Sequence, residues 1–506
     1  MAFDRKFGKH KINAFVGYEQ TNSNWKETYA YRRDLLSSQL DQLYTGSDKN
    51  QIGTGYASQD GRESFLARMS YDYNSKYLVD VTLRYNGSFN FPKEKRWGMF
   101  PSVSLGWRIS QEKFFKDNNI KNIVNYLKLR ASWGVMGSDD VAQYYFLTRY
   151  RVVGRAENYT YFGPNYSLAE ALYLSATPNP DITWERQDSK NIGFDAAFLS
   201  GKLNISFDAF RYLRKDILAQ RNASIPLYTG LSLPYENIGK SLNRGLDFSI
   251  NYNEYKSKVK YHVGANFTFA KSKIIFEDES PNTPDWQRAT GFPIDSWVVF
   301  KTKGIYHTQS EVDGSPHLSG AGPGDLWIED INGDGNITND DKVRVPYSAT
   351  PKITFGIPIG IQYKNFSLDM VWAGQAMAKQ LILPQMQGSV VSPPTWLYNG
   401  RWTKDNPDAP YPRAFNYNDY RNSVFADFWL RDASFLRLKS AMLSYTFSSH
   451  YFKKVGISKL KIYIVGFNLF SIDGMRKFGV DPETNNITGI AYPQTRIFKC
   501  GLNVEL

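Results

Sequence analysis

Residues 62–110, RESFLARMSYDYNSKYLVDVTLRYNGSFNFPKEKRWGMFPSVSLGWRIS, contain three segments in which apolar and polar residues alternate. Phe65, Ala67, Met69, Tyr71 and Tyr73 share one parity, against Arg68, Ser70 and Asp72 on the other. Tyr77, Val79, Val81, Leu83 and Tyr85 stand against Asp80, Thr82, Arg84 and Asn86, and Val103, Leu105, Trp107 and Ile109 against Ser104, Gly106, Arg108 and Ser110. Successive side chains on a strand point to opposite faces, so each segment reads as a strand with one apolar and one wet face. The first two join through a tight turn at Asn74-Ser75. The second and third are joined by a longer polar loop, Asn86 to Met99, that carries Lys93, Glu94, Lys95 and Arg96. Short turn, long loop and strands tipped with aromatic rings are the pattern of a transmembrane β-barrel.

The same period recurs along the whole chain. Rows of one parity include Ile12 to Tyr18, Leu127 to Trp133, Ile192 to Phe198, Ile205 to Ala209, Leu246 to Tyr252 and Tyr261 to Phe269. Further rows lie in Ile353 to Tyr363, Phe366 to Trp372, Leu436 to Phe447 and Leu460 to Phe470, and a last one holds Phe498, Cys500, Leu502, Val504 and Leu506. With weaker candidates these give roughly 14–18 strands of about ten residues. Ser200-Gly201 and Lys364-Asn365 repeat the minimal turn, while Gly137–Pro180, Ile275–Asp295, His307–Ser348 and Leu381–Asn422 are long connections. Such asymmetry matches periplasmic turns at one end and extracellular loops at the other, and one compact soluble domain rarely holds so many long loops.

Composition fits strands that are apolar on one face only. The 34 Tyr, 33 Phe and 12 Trp make aromatics 16% of the 506 residues, yet mean hydropathy is −0.47. No run approaches the roughly 18 apolar residues of a spanning helix. The formal charge of +12 arises from 61 basic and 49 acidic residues with no compact Lys/Arg cluster, so nucleic acid is not implied. The single cysteine, Cys500, excludes an internal disulfide framework and reads as a small hydrophobe on its apolar row. Met1 to Lys11 is polar, with no apolar core of a signal peptide. An outer-membrane barrel must be exported, so the export signal is expected upstream of Met1 and the chain is read as a fragment.

Taken in order, the motifs resemble the SusC/RagA family of TonB-dependent outer-membrane transporters, in its C-terminal barrel portion. They are Arg84-Tyr85-Asn86-Gly87-Ser88, Phe100-Pro101-Ser102 with Gly106-Trp107-Arg108, and Asn179-Pro180-Asp181-Ile182-Thr183-Trp184-Glu185 with Asn191-Ile192-Gly193-Phe194-Asp195. Asn237-Ile238-Gly239, Asn243-Arg244-Gly245-Leu246-Asp247, Gly324-Asp325, Asp330 to Asp341, Trp429 to Tyr445 and Asn468-Leu469-Phe470 follow. The resemblance implies an all-β, antiparallel transmembrane barrel, here part of a roughly 22-stranded family barrel with long extracellular loops. It implies that the signal peptide, carboxypeptidase-like domain, TonB box and plug of such proteins lie outside residues 1–506. It also implies an outer-membrane location, import of oligosaccharide or peptide, a SusD-like surface lipoprotein as lid, the TonB complex as energy source through the missing N-terminal part, and contact with outer-membrane lipid. Barrels of this family typically end on Phe, and Leu506 departs from that.

Two sets of residues are candidate sites. Asp330, Asn332, Asp334, Asn336, Thr338 and Asp341 occupy the oxygen positions of a twelve-residue calcium loop, with Gly335 at the turning position. Asp341 replaces the longer Glu, and no flanking helices are evident, so a loop of self-hydrogen-bonded Asx turns is the competing reading. Tyr144, Tyr145, Tyr159, Tyr161, Trp286 and Trp396 are loop aromatics suited to sugar faces or peptide side chains, the competing reading being rings that pack loops together. No catalytic motif accompanies the five scattered histidines, so no enzyme is implied. A passive porin-like or structural β-barrel is the alternative function.

Overall fold

The computed structural model describes residues 1–49, 51–152, 160–162, 167–169, 172–221, 233–383, 394–414, 421–448, 456–484, 492 and 494–505, with the side chains of 151–176 outside that description. Fifteen strands form one sheet in which each strand's neighbours are the previous and the next. They are β1 (Ala2–Phe7), β2 (His10–Tyr31), β3 (Ile52–Tyr73), β4 (Tyr77–Ser88) and β5 (Trp97–Trp107). Next come β6 (Val124–Ser138), β7 (Glu185–Phe198), β8 (Leu203–Gln220), β9 (Tyr235–Glu254) and β10 (Val259–Phe276). The last are β11 (Ile353–Tyr363), β12 (Phe366–Ala376), β13 (Phe435–Phe447), β14 (Lys459–Asp473) and β15 (Ile497–Glu505). The chain forms two compact units, one holding residues 1–105, 133–188 and 215–238 and the other 106–132, 189–214 and 239–506.

In the first unit β1 to β4 pair antiparallel in sequence order, with Phe7 opposite His10, Tyr18 opposite Phe65 and Tyr73 opposite Tyr77. The Gly8-Lys9 and Asn74 to Lys76 turns are minimal. Gly8, Asn74 and Ser75 all take positive φ, the backbone that reverses two twisted strands tightly. Val16, Tyr18, Phe65, Met69, Val81, Leu83 and Tyr85, all on the parity read as apolar, are exposed. The opposite parity carries an ion pair, Arg68 to Asp80 at 2.8 Å, with the Ser70 hydroxyl donating to Asp80 at 2.5 Å.

The second unit repeats the plan from β9 to β15, again antiparallel and in register order. Leu246, Val263, Ile361, Leu443, Ile464 and Leu502 are its exposed apolar residues. On the other face Arg130 bridges Asp195 and Asp208 at 2.8 and 2.9 Å, and the Asp247 carboxylate accepts from the Thr268 hydroxyl at 2.7 Å. Tyr255 to Lys258 and Lys364-Asn365 are short reversals, whereas 277–352 and 377–434 are long and contain short two-stranded ladders of their own. No helix among the described residues is long and apolar enough to cross a membrane.

Three boundaries differ from the sequence reading. The third segment starts at Trp97, inside the stretch read as loop, and ends at Trp107; Ile109 turns out of the sheet in a single helical turn, Ile109–Gln111. Lys93 to Arg96 and then Gly98 and Pro101 mask its alternation. β2 and β3 run 22 residues each, far beyond the rows at Ile12–Tyr18 and Phe65–Tyr73. Past those rows both faces are polar, and a period of two then carries no signal. β1 carries no alternation to read, its six residues being exposed throughout with three consecutive charges, Asp4, Arg5 and Lys6, at its centre.

Candidate functional site

Within the two long connections of the second unit, 277–352 and 377–434, a core assembles apart from the sheet. Phe300, Ile305, Leu326, Ile328, Leu381 and Trp429 are buried against one another, with Leu397 and Ala426. Short ladders, Thr302–Ile305 with Leu326–Ile328 and Val298–Phe300 with Lys342–Arg344, bring these residues together and satisfy their backbone groups.

At its centre lies a buried carboxylate. Asp325, 1% exposed, accepts from Arg413 Nε at 2.7 Å and Arg413 Nη2 at 2.8 Å, a bidentate fork. Asn422, fully buried, donates its amide to Asp325 at 2.8 Å and accepts the Leu326 N–H at 2.9 Å. The Gly322 N–H also donates to Asp325, and the Trp429 indole donates to the Asn422 carbonyl. Gly324 sits beside it at φ +89°, and a Cβ there would lie 2.6 Å from the Trp402 ring, so only glycine fits. Tyr306 stacks on Trp327, and burial pushes its hydroxyl pKa up. Glu311 caps a short helix by accepting the His307 and Thr308 N–H groups, which holds its carboxyl below the usual glutamate range.

The Asp330–Asp341 loop lies on the same connection. Asp330 accepts the N–H groups of Gly333 at 2.7 Å and Gly335 at 2.9 Å, Asn332 that of Asp334, and Asp334 that of Asn336. Asp341, fully buried, accepts from the Ile331, Asn332 and Thr338 N–H groups, while the Thr338 hydroxyl accepts the Asp340 N–H. Each carboxylate that the calcium pattern would offer to a cation is thus engaged by backbone donors, the arrangement of consecutive Asx turns. No group of three or more His, Cys, Asp or Glu side chains is placed to hold a metal ion among the described residues.

The loop aromatics separate. Trp286 donates its indole N–H to the Asp340 carbonyl at 2.8 Å, tying it to the Asx loop. Trp396 packs edge-on against Tyr411 and Phe478 and donates to the Phe478 carbonyl. In the first unit, Tyr145 meets Tyr235 edge-on and lies under the Arg149 guanidinium, and Tyr144, at φ +61°, meets Phe89 edge-on. Tyr144 is 40% exposed, which leaves much of its ring open to solvent. Tyr159 lies outside the described residues, and Tyr161 lies on the short strand Thr160–Phe162, its side chain outside the description.

The Asn179–Glu185 motif of the first unit resolves into packing. Trp184, 4% exposed, sits between Phe91 and Phe100 with Ile182, and its indole donates to the Arg96 carbonyl at 2.9 Å. Asn237 accepts the Thr183 N–H and donates to the Thr183 and Asp216 carbonyls, so the two motifs that contain Thr183 and Asn237 are halves of one clamp. Sequence reasoning missed the Asp325, Arg413 and Asn422 grouping, since nothing local signals partners so distant in sequence.

Exposed apolar rows opposite an ion-paired polar face, minimal turns and folded long connections define a transmembrane β-barrel wall: such continuous apolar surface is stable only against hydrocarbon. The family described as TonB dependent receptor-like, beta-barrel matches residues 3–469, and the chain belongs to that family, as a SusC/RagA-like outer-membrane barrel. It is 26% identical to the TonB-dependent receptor P3 of Formosa agariphila over 100% of this chain and 51% of that protein. It is 27% identical to the TonB-dependent receptor SusC of Bacteroides thetaiotaomicron over 89% of this chain and 44% of that protein. The structure of the RagAB peptide transporter superposes with a TM-score of 0.81 at 22% identity, covering 99% of this chain and 54% of that one, a likeness of fold. The chain spans about half the length of the curated relatives it matches.

Proposed function

We propose that the chain is the C-terminal barrel portion of a SusC/RagA-type importer that takes up oligosaccharides or peptides through the outer membrane with a SusD-like lipoprotein. The observation that carries this reading is similarity along essentially the whole chain to TonB-dependent receptors, SusC among them. The folded connections around Asp325 would supply a surface firm enough for a lid to close upon, and Tyr144 an exposed ring for a sugar face or a peptide side chain. Energy would come from TonB acting on parts of the protein that lie outside these residues. The test is uptake of a panel of fluorescent oligosaccharides and peptides by the native bacterium. Loss of one class on deletion of the gene, its recovery on complementation, and its abolition by a protonophore are the expected results. Uptake that persists once the proton gradient has collapsed would instead assign a passive channel.

For the Asp330–Asp341 loop we infer a structural role as a chain of Asx turns that holds Trp286 and the connection in place. A calcium ion would have to displace the N–H groups that its carboxylates now accept. Adding calcium in excess of chelator is expected to leave the midpoint of loop melting unchanged within about a degree, whereas a bound ion would raise it measurably. Differential scanning fluorimetry with calcium and with EGTA decides between them.

A further inference from the structure

On β9 and β10 the exposed apolar row ends abruptly in like charges. Reading up the register, Tyr252 is opposite Val263, Ile250 opposite Ala265, Phe248 opposite Phe267 and Leu246 opposite Phe269. The next pair of that parity is Arg244 opposite Lys271, followed by Leu242 opposite Lys273. Like charges directly across a ladder destabilise it. Arg211, on β8, lines the same recess, so three cations stand over a floor of Leu246 and Phe269. The recess holds about 540 Å³. Among the described residues none of the three cations is ion-paired. Lys352 stands close by: burial, and then the charge of Lys271, push its ammonium below the ordinary lysine value.

The height of this cluster on the wall fixes what it faces. Glu254 and Arg244 bound the apolar row on β9, about 33 Å apart along the strand at about 3.3 Å per residue. With strands tilted by about 40° that span rises about 25 Å, the height of the lipid-facing band of an outer-membrane barrel. Arg244 and Lys271 therefore lie at the membrane–water boundary on the side of the long 277–352 connection. Directly beneath them is surface that faces acyl chains.

We propose that Arg211, Arg244 and Lys271 bind the phosphorylated headgroup of an outer-leaflet lipid, whose acyl chains lie along the Leu246–Phe269 and Phe248–Phe267 pairs. The anion removes the cross-strand repulsion, and the apolar floor excludes a freely hydrated small anion in favour of one attached to hydrocarbon. The site belongs to the barrel wall and is separate from any path taken by nutrient.

The test uses the protein purified at full length from its own outer membrane and titrated by native mass spectrometry. The probes are phosphorylated lipid A, enzymatically dephosphorylated lipid A and inorganic phosphate. The expected result is that dephosphorylation weakens binding about 125-fold, the effect of three interfacial cations at about fivefold each. The double variant R244Q/K271Q should weaken binding of the phosphorylated lipid about 25-fold while binding the dephosphorylated one unchanged, with heat-modifiable gel migration confirming its fold. The lipid comparison on unaltered protein stands whatever the variant's folding. Equal affinity for the two lipids, unchanged affinity in a folded double variant, or displacement of the lipid by equimolar inorganic phosphate would each overturn the proposal.

Discussion

Asp325→Ala is expected to loosen the connection between β10 and β11 while leaving the sheet in place, at a cost of about 3 kcal/mol. Removing the carboxylate strands the Arg413 guanidinium and the Asn422 amide beside a core of Leu326 and Trp429. The figure lies at the lower end of the range for a broken buried pair because the Arg413 side chain keeps 33% of its surface in solvent. Hydrogen exchange would read the change as faster exchange at Leu326 and Trp429, whose N–H groups lie in the affected shell, with β10 to β14 unchanged. Asp325→Asn should recover part of the loss, since an amide oxygen still accepts two of the bonds. Slow exchange in the alanine variant equal to that of the unaltered protein would show that the apolar packing alone holds the connection.

Trp184→Ala is expected to cost about 4 kcal/mol, the range for a large ring removed from a closed core. The cavity would lie between Phe91 and Phe100, and the Arg96 carbonyl would lose its indole donor. Phe100 cannot collapse freely into the space. Its ring already fits over Gly98 and Gly137, where an added Cβ would lie 2.6 and 2.1 Å away. Limited proteolysis should cut the 89–96 connection in the variant and spare it in the unaltered chain. Trp184→Phe should be milder and should separate the lost volume from the lost hydrogen bond.

What the sequence disclosed follows from what a lipid-facing strand requires. Where a row such as Tyr77 to Tyr85 must be apolar and its neighbours wet, alternation is imposed and easily read. Above the membrane, at Gln20 to Lys26, both faces meet water and the strand continues unannounced. The candidate sites divide in the same way. The Asp330 loop was visible because its partners are local, each oxygen serving an N–H within a few residues, apart from Asp341, which reaches back to Ile331. The Asp325 centre was invisible because Arg413 lies 88 residues away and Asn422 97. Gly324-Asp325 is legible as a motif, but its partners are not. Loop aromatics were visible as residues, but whether a ring such as Trp396 faces solvent or packs on Tyr411 is decided by neighbours in space.

The β2–β3 pair has a further property. From Thr21 to Tyr31 every residue of β2 is exposed, and the ladder continues unbroken, Tyr31 opposite Ile52. Burial therefore prefers no alignment of this upper part over one shifted by a residue. Apart from the edge-on contact of Trp25 with Tyr56, alignment is inherited from below, where Ile12 to Tyr18 must face hydrocarbon. The bilayer acts here as a key that sets the alignment of a hairpin it does not touch, so the lipid-facing rows determine which side chains this arm presents at the cell surface.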